Sequence, residues 1–300
     1  MPVLVVGSVG IDHIKTQTED HPELLGGSAS YAAIAASFYA PVRLVGVVGN
    51  DFPPQHRALY ESKKIDLEGL EVADGATFRW TGQYEADMNV RNTLSLALNV
   101  FEHFSPKIPA AYRDTDFVLL ANIAPALQSK VLDQISKPKF VVADTMDLWI
   151  EIARQDLLDL LKRVDMLVLN DGEAKALTGE SNVIKAGRKL LKSGPRYIVV
   201  KKGEHGSILF SADAIHVLPA YPLEGVFDPT GAGDCFVGAL VGYCASKGDA
   251  SFATLREALV HATMVASFNV EAFSLRRLET LTPAEIATRA AEFKAIAGLA

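Results

Sequence analysis

An open α/β fold, with a mainly parallel sheet covered by helices on both faces, is the class this sequence predicts. Three observations carry that expectation. Short runs rich in Val, Ile and Leu at 3–6, 42–48, 117–121, 140–143, 166–169 and 197–200 read as strands buried on both faces. Longer helical patterns separate them, at 27–39, 54–64, 125–135, 148–163 and 182–192. Two extended-looking segments, 11–18 and 76–104, break the alternation and stand outside the main sheet.

Taken in order, Met1-Pro-Val-Leu-Val-Val-Gly7 lacks a basic n-region and a cleavage site and reads as the first strand. Gly7-Ser-Val-Gly10 follows it, but the full G-x-G-x-x-G pattern is missing and no helix comes next, which excludes a dinucleotide fingerprint. Gly26-Gly-Ser-Ala-Ser-Tyr31 opens the first long helix, where paired glycines either make a plain turn or expose backbone donors to a polar ligand. Gly49-Asn-Asp-Phe-Pro-Pro54 starts the second helix. Segment 76–104 holds Thr77-Phe-Arg-Trp-Thr-Gly-Gln-Tyr-Glu85 and Thr93-Leu-Ser-Leu-Ala-Leu-Asn-Val-Phe101, two amphipathic strands. Asp144-Thr-Met-Asp147 ends a strand, the position where ligands sit in open α/β sheets, and has no assigned role. Asn170-Asp-Gly-Glu173 matches a capping box at a strand-to-helix junction. Lys201-Lys-Gly-Glu-His-Gly206 leads into a hairpin, 207–210 with 214–218. Helices at 231–246, 252–268 and 283–297 close the chain, the last opened by Thr282-Pro-Ala-Glu285, a capping box with Pro at the first helical position.

Composition narrows the class. The 300 residues are 49% hydrophobic and 22% charged, enough to bury a sizeable core. The 29 basic and 36 acidic residues leave a net charge of −7, which argues against a nucleic-acid or anionic-membrane surface. No apolar run approaches the ~18 residues a membrane span needs. Cys235 and Cys244 lie about 13 Å apart along one helix, too far to bridge, and read as reduced core thiols of a cytoplasmic protein. Cysteine and histidine spacing offers no zinc site, and no G-x-x-x-x-G-K-[ST] P-loop occurs.

Chemistry concentrates in Asp228-Pro-Thr-Gly-Ala-Gly-Asp234. Small residues at Gly231, Ala232 and Gly233 open a helix whose first N–H groups lack intrahelical partners, and the helix dipole adds positive charge there. Together these make a phosphate cradle. A carboxylate beside an anion site repels the anion, so Asp234 makes sense as the group that orients an attacking hydroxyl. An ordinary first-turn Asp is the plainer reading.

This run resembles the C-terminal signature of the ribokinase-like, or PfkB-type, sugar and nucleoside kinases, Asp-Thr-x-Gly-Ala-Gly-Asp, with Pro229 in place of the first Thr. The remaining motifs follow in family order at 26–31, 170–173, 201–206 and 228–234. The resemblance implies a three-layer α/β/α sandwich forming one domain, 1–300, with a small β-lid built from insertions at about 11–18 and 76–104 and used for homodimer contact. It makes Asp234 the catalytic base and the Gly231, Ala232 and Gly233 amides the anion hole. It assigns nucleotide contacts to Asn170, Glu173, Lys202, Gly203, Gly206 and Asn269, the last at the adenine pocket. Asn170 and Glu173 would order Mg²⁺ through water, and Asp228 and Thr230 a K⁺ ion. Substrate contacts fall on Asp12, Gly26, Gly27 and Asn122. Two positions depart from the pattern: Tyr31 or Ser30 stands where the family carries Asn, and Gly10 stands where it often carries another. Arg91 is a lone arginine of the lid segment with no assigned role.

The expected activity is transfer of the γ-phosphoryl group of ATP to a hydroxyl of a sugar or sugar-like polyol. A nucleoside acceptor is the alternative, for which Tyr31, Phe78 and Trp80 would offer stacking surface if they faced the cleft. A catalytically silent sensor is the other alternative, and the intact Asp234 and glycines weigh against it.

Overall fold

Each of the buried strands expected from the sequence forms, and two polar ones join them. The structure is a computed structural model that describes residues 1–85, 88 and 91–299, apart from the Arg91 side chain. The described strands are β1 (Val3–Val6), β2 (Gly10–Lys15), β3 (Asp20–Gly26), β4 (Val42–Gly49), β5 (Asp66–Ala73), β6 (Phe78–Tyr84), β7 (Arg91–Ala97), β8 (Phe117–Leu120), β9 (Phe140–Asp144), β10 (Met166–Asn170), β11 (Tyr197–Lys201), β12 (Ser207–Phe210) and β13 (Ile215–Leu218). The main sheet runs β13-β12-β11-β10-β9-β8-β1-β4-β5, parallel from β11 to β5, with β12 antiparallel to both of its neighbours.

Alternation along the strands sorts the core into two layers. Val3, Val5, Phe117 and Leu119 face one cluster with the helices Ser28–Ser37, Ala232–Lys247 and Phe252–Asn269. Leu4, Val6, Val118 and Leu120 face the other, with Leu157, Leu160 and Leu190 from the helices Arg154–Leu161 and Val183–Leu191. On the first face Gly238 and Gly242 lie against the backbone of Ala32 and Ala36, so two helices cross with almost no side chain between them. That crossing brings the Gly27 helix and the Gly231 helix together, and with them two motifs about 200 residues apart.

The lid is a separate four-stranded sheet, β3-β2-β6-β7. It is larger than expected: the first insertion includes β3 as well as β2. Pro22 and several charged residues hid β3, and an edge strand tolerates both. Edge strand β5 escaped notice for a similar reason, its acidic residues alternating with apolar ones. Ile14, Leu24, Tyr84 and Phe273 form a small core that seats the lid on the loop after Asn269. Asp51 pins it from the other side, accepting from Thr77 N at 2.7 Å and pairing with Arg79 at 2.9 Å. Within 76–104, residues 86, 87, 89, 90 and the Arg91 side chain lie outside the described residues.

The helix expected over 148–163 is two, Asp147–Ile152 and Arg154–Leu161, broken at Ala153 (φ −133°, ψ 32°). Arg154 at the break donates to the Leu177 carbonyl of another helix, a tertiary contact that no local pattern announces. No helix among the described residues is long and apolar enough to cross a membrane. Both cysteines are free and buried.

Candidate active site

Gly231 caps the helix Ala232–Lys247 with φ +74°, a left-handed conformation that suits glycine, and a side chain there would strike the Tyr31 ring. The loop before it is held on Asp228, fully buried, whose carboxylate accepts Thr230 N at 2.9 Å and Ser274 N at 2.8 Å. Burial pushes Asp228 above its ordinary value, and those donors pull it back. The Thr230 carbonyl accepts Asn269 Nδ2 at 2.9 Å, and Cys235 Sγ donates to Asn269 Oδ1. Asn269 is therefore turned inward and braces this loop. Ala232 N–H donates to Pro229 O at 3.2 Å, while Gly233 and Asp234 N–H have no backbone acceptor among the described residues.

Asp234 stands in the first turn of that helix, beside those two amides. Burial, then the Asp144 carboxylate, push its carboxyl up to about 8, against the pull of Lys201. Lys201 ends β11 and Asp144 ends β9, with β10 between them, and their charged atoms meet at 3.4 Å across that strand. Asp144 is likewise raised by burial and drawn back by Lys201. Burial alone would lower Lys201, but Asp144, Glu173 and Asp234 more than offset it and hold the ammonium charged. Neither Asp144 nor Lys201 was assigned a role from sequence. The available signal was a charge ending an otherwise apolar buried strand.

On the nucleotide side, Asn170-x-x-Glu173 does form the capping box: Asn170 Oδ1 accepts Glu173 N at 2.8 Å and Glu173 accepts Asn170 N at 2.7 Å. Burial still pushes Glu173 up to about 7, so this carboxyl belongs to the same electrostatic cluster as Asp234 and Lys201. Lys202, Gly203 and Gly206 form a tight turn closed by Lys202 N–H to Gly206 O at 2.8 Å. A side chain at Gly203 would meet open space, whereas one at Gly206 would hit the Leu218 carbonyl.

Asp12, buried at 3% exposure on β2, lies against Gly26, where any side chain would overlap its carboxylate. Gly27 (φ +92°) caps the first helix next to Ser28, whose hydroxyl contacts Ser8 Oγ at 3.0 Å and donates to the Asn122 carbonyl. Asn122 Oδ1 in turn accepts Trp149 Nε1 at 2.8 Å. Ser8 and Asn122 follow the carboxyl ends of β1 and β8, next to the helix Ser28–Ser37 that packs on the helix Ala232–Lys247. Tyr31 is 1% exposed behind Gly231, so it offers no stacking surface, and burial with the nearby Asp12 and Asp228 charges raises its phenol. Phe78 packs on Phe101 and Gly10, and the Trp80 ring covers Gly82.

The pfkB family carbohydrate kinase profile matches residues 3–281. The chain belongs to that family. A cytidine kinase of Thermococcus kodakarensis is 32% identical over 251 residues, 81% of this chain and 88% of the relative. A nucleoside kinase of Methanothermobacter thermautotrophicus is 28% identical over 250 residues, 78% and 79% of the two chains. Among solved structures, the aminoimidazole riboside kinase of Salmonella enterica, complexed with its riboside and an ATP analogue, superposes with a TM-score of 0.80. It is 18% identical and covers 97% of this chain and 100% of that one. The architecture of this pfkB-family kinase is accordingly the ribokinase fold.

Mg²⁺ is the metal the family implies. Among the described residues no cluster of three or more His, Cys, Asp or Glu side chains is arranged to hold a metal ion. The oxygen-bearing side chains of Asn170 and Glu173 suit a hard cation that takes most of its oxygens from phosphates and water, as Mg²⁺ does.

Proposed function

We propose that this kinase transfers the γ-phosphoryl group of ATP to a hydroxyl on the sugar of a nucleoside. The observation that carries the reaction is Asp234 at the start of a helix whose Gly233 and Asp234 N–H groups have no backbone acceptor among the described residues. The nucleoside acceptor is supported by the cytidine and nucleoside kinases among the relatives. A free sugar is the second reading, favoured by the carbohydrate-kinase character of the family.

In this reading Asp12 accepts hydrogen bonds from two acceptor hydroxyls, with Gly26, Gly27 and Asn122 completing the polar pocket. Asp234 orients the attacking hydroxyl and draws its proton as transfer proceeds. The free amides stabilise the negative charge on the transferring group. Glu173 and Asn170 would hold Mg²⁺ through water, and the ion's contribution is neutralisation of phosphate charge. Lid strands β2, β3, β6 and β7 exclude water from the cleft. Leu94 and Leu96 on the edge strand β7, and Leu98 just after it, are 51%, 53% and 40% exposed and support a homodimer formed lid to lid.

The test is acceptor-dependent ADP release with Mg²⁺ and K⁺ against nucleosides, sugars and polyols. A nucleoside hit that disappears in Asp234→Asn supports the reading. A hit on free sugars alone replaces the acceptor class, and a hit that survives in Asp234→Asn sinks the mechanism.

A further inference from the structure

Lys201 is the side chain that stands against Gly233: a methyl group on that glycine would lie 2.9 Å from Nζ. The Gly233 amide also has no backbone acceptor among the described residues, and the ammonium and the helix start share one small volume. Among the described residues Asp144 is the acceptor Nζ has, at 3.4 Å, and an ammonium carries three donors. The pair is largely buried, with Lys201 at 19% and Asp144 at 7% exposure. A buried ion pair with a single long contact is a poor stabiliser, since desolvating both charges costs about as much as their attraction returns. Its value for folding does not explain it. Its position does: three carboxylates, Asp144, Glu173 and Asp234, surround the site where an anion must settle, and Lys201 is the cation among them.

We propose that Lys201 is a catalytic residue that contacts the phosphoryl group in transfer, and that Asp144 is a positioning residue that aims its ammonium at the Gly233 amide. This rests on the kinase reading above. In the step itself the acceptor oxygen forms a bond to the γ-phosphorus while the bond from that phosphorus to the β–γ bridging oxygen breaks. The bonding pair leaves on ADP, the hydroxyl proton passes to Asp234, and Lys201 keeps its proton throughout. Its role is to offset charge on the oxygens of the moving group, where Gly233 leaves room for an ammonium and a larger residue would displace it.

The test measures affinity for ATP, ADP and adenosine by calorimetry, with Mg²⁺, alongside turnover on the best acceptor. In Lys201→Met, ATP affinity should fall at least tenfold while adenosine affinity stays within twofold, and kcat should fall on the order of 10²-fold. Asp144→Asn should lower kcat about tenfold with ATP affinity kept, the split expected of a residue acting through another. Should Lys201→Met not fold with Asp144 left unpaired, the double variant Asp144→Asn with Lys201→Met removes both charges and should show the same loss of ATP-over-adenosine preference. Wild-type ATP affinity and turnover in a folded Lys201 variant would overturn the proposal and leave the kinase reading standing. Failure of the wild-type protein to bind ATP would overturn both.

Discussion

The hydroxyl of Tyr84 lies 2.8 Å from the hydroxyl of Thr230, so a lid strand touches the loop that leads into Gly231. Tyr84 also belongs to the small core that seats the lid on Phe273. Lid position and the geometry of the loop before Gly231 are therefore linked through this side chain. Tyr84→Phe keeps the ring packed and deletes the link. Stability should fall by about 1 kcal/mol, and the KM of the acceptor should rise several-fold with ATP affinity unchanged. Steady-state kinetics beside a urea melt checks this; unchanged kinetics would mean the lid closes independently of the loop.

Asp234 and Glu173 make opposite demands on stability and activity. Their carboxyls, at about 8 and about 7, keep protons in the folded chain that the unfolded chain has already released. Between about pH 4 and 8 the folded state binds more protons, so stability falls as pH rises through that window. Asp234→Asn should relieve part of this, raising the Tm at pH 8 by on the order of 2 °C per kcal/mol recovered, with turnover lost. In the wild type, kcat/KM should climb from pH 6 towards 9 as Asp234 deprotonates. A rate already flat above pH 5 is incompatible with a base in this environment.

Gly231 combines a left-handed backbone with contact on the buried Tyr31 ring. Gly231→Ala should cost about 2–4 kcal/mol, from backbone strain and overpacking together. A loss below 0.5 kcal/mol in denaturant melts would show that the turn relaxes freely.

Asp12 is buried beside Gly26, ready to accept hydrogen bonds but not to donate them when ionised. Asp12→Asn should reduce kcat/KM for the acceptor by 10²-fold or more, about 3 kcal/mol, and leave ATP binding intact. Equal losses in acceptor and ATP affinity would move Asp12 out of the acceptor pocket and into the fold.

The lid edge carries exposed Leu94 and Leu96, with exposed Leu98 just beyond the strand. If two copies meet there, Leu96→Glu should convert a dimer to a monomer in light scattering. A wild-type chain that is already monomeric at micromolar concentration removes the lid dimer.

The buried parallel strands were legible because strands covered on both faces need near-continuous Val, Ile and Leu, and that signal is local. The helix starts at Asn170 and Thr282 were legible for the same reason, each being a four-residue hydrogen-bond pattern. Strands β3 and β5 were not, because an edge strand has one exposed side and carries a mixed polar pattern. The contacts of Tyr31 and Asn269 were not legible for a different reason. Which way a side chain turns depends on what packs against it, and Tyr31 meets Gly231 and Asn269 meets Thr230 only after the chain has closed.

By itself, then, the sequence determined the class of sheet, the helix that begins at Gly231-Ala-Gly, and the carboxylate in its first turn, since each rests on contacts within a few residues. Tertiary structure alone decided that Asp144 and Lys201, 57 residues apart, meet across β10. It decided likewise that Gly238 and Gly242 seat one glycine-opened helix against the other. Strand order and helix crossing are choices among non-local pairings whose free energy comes from the whole core, and no short stretch of chain encodes them.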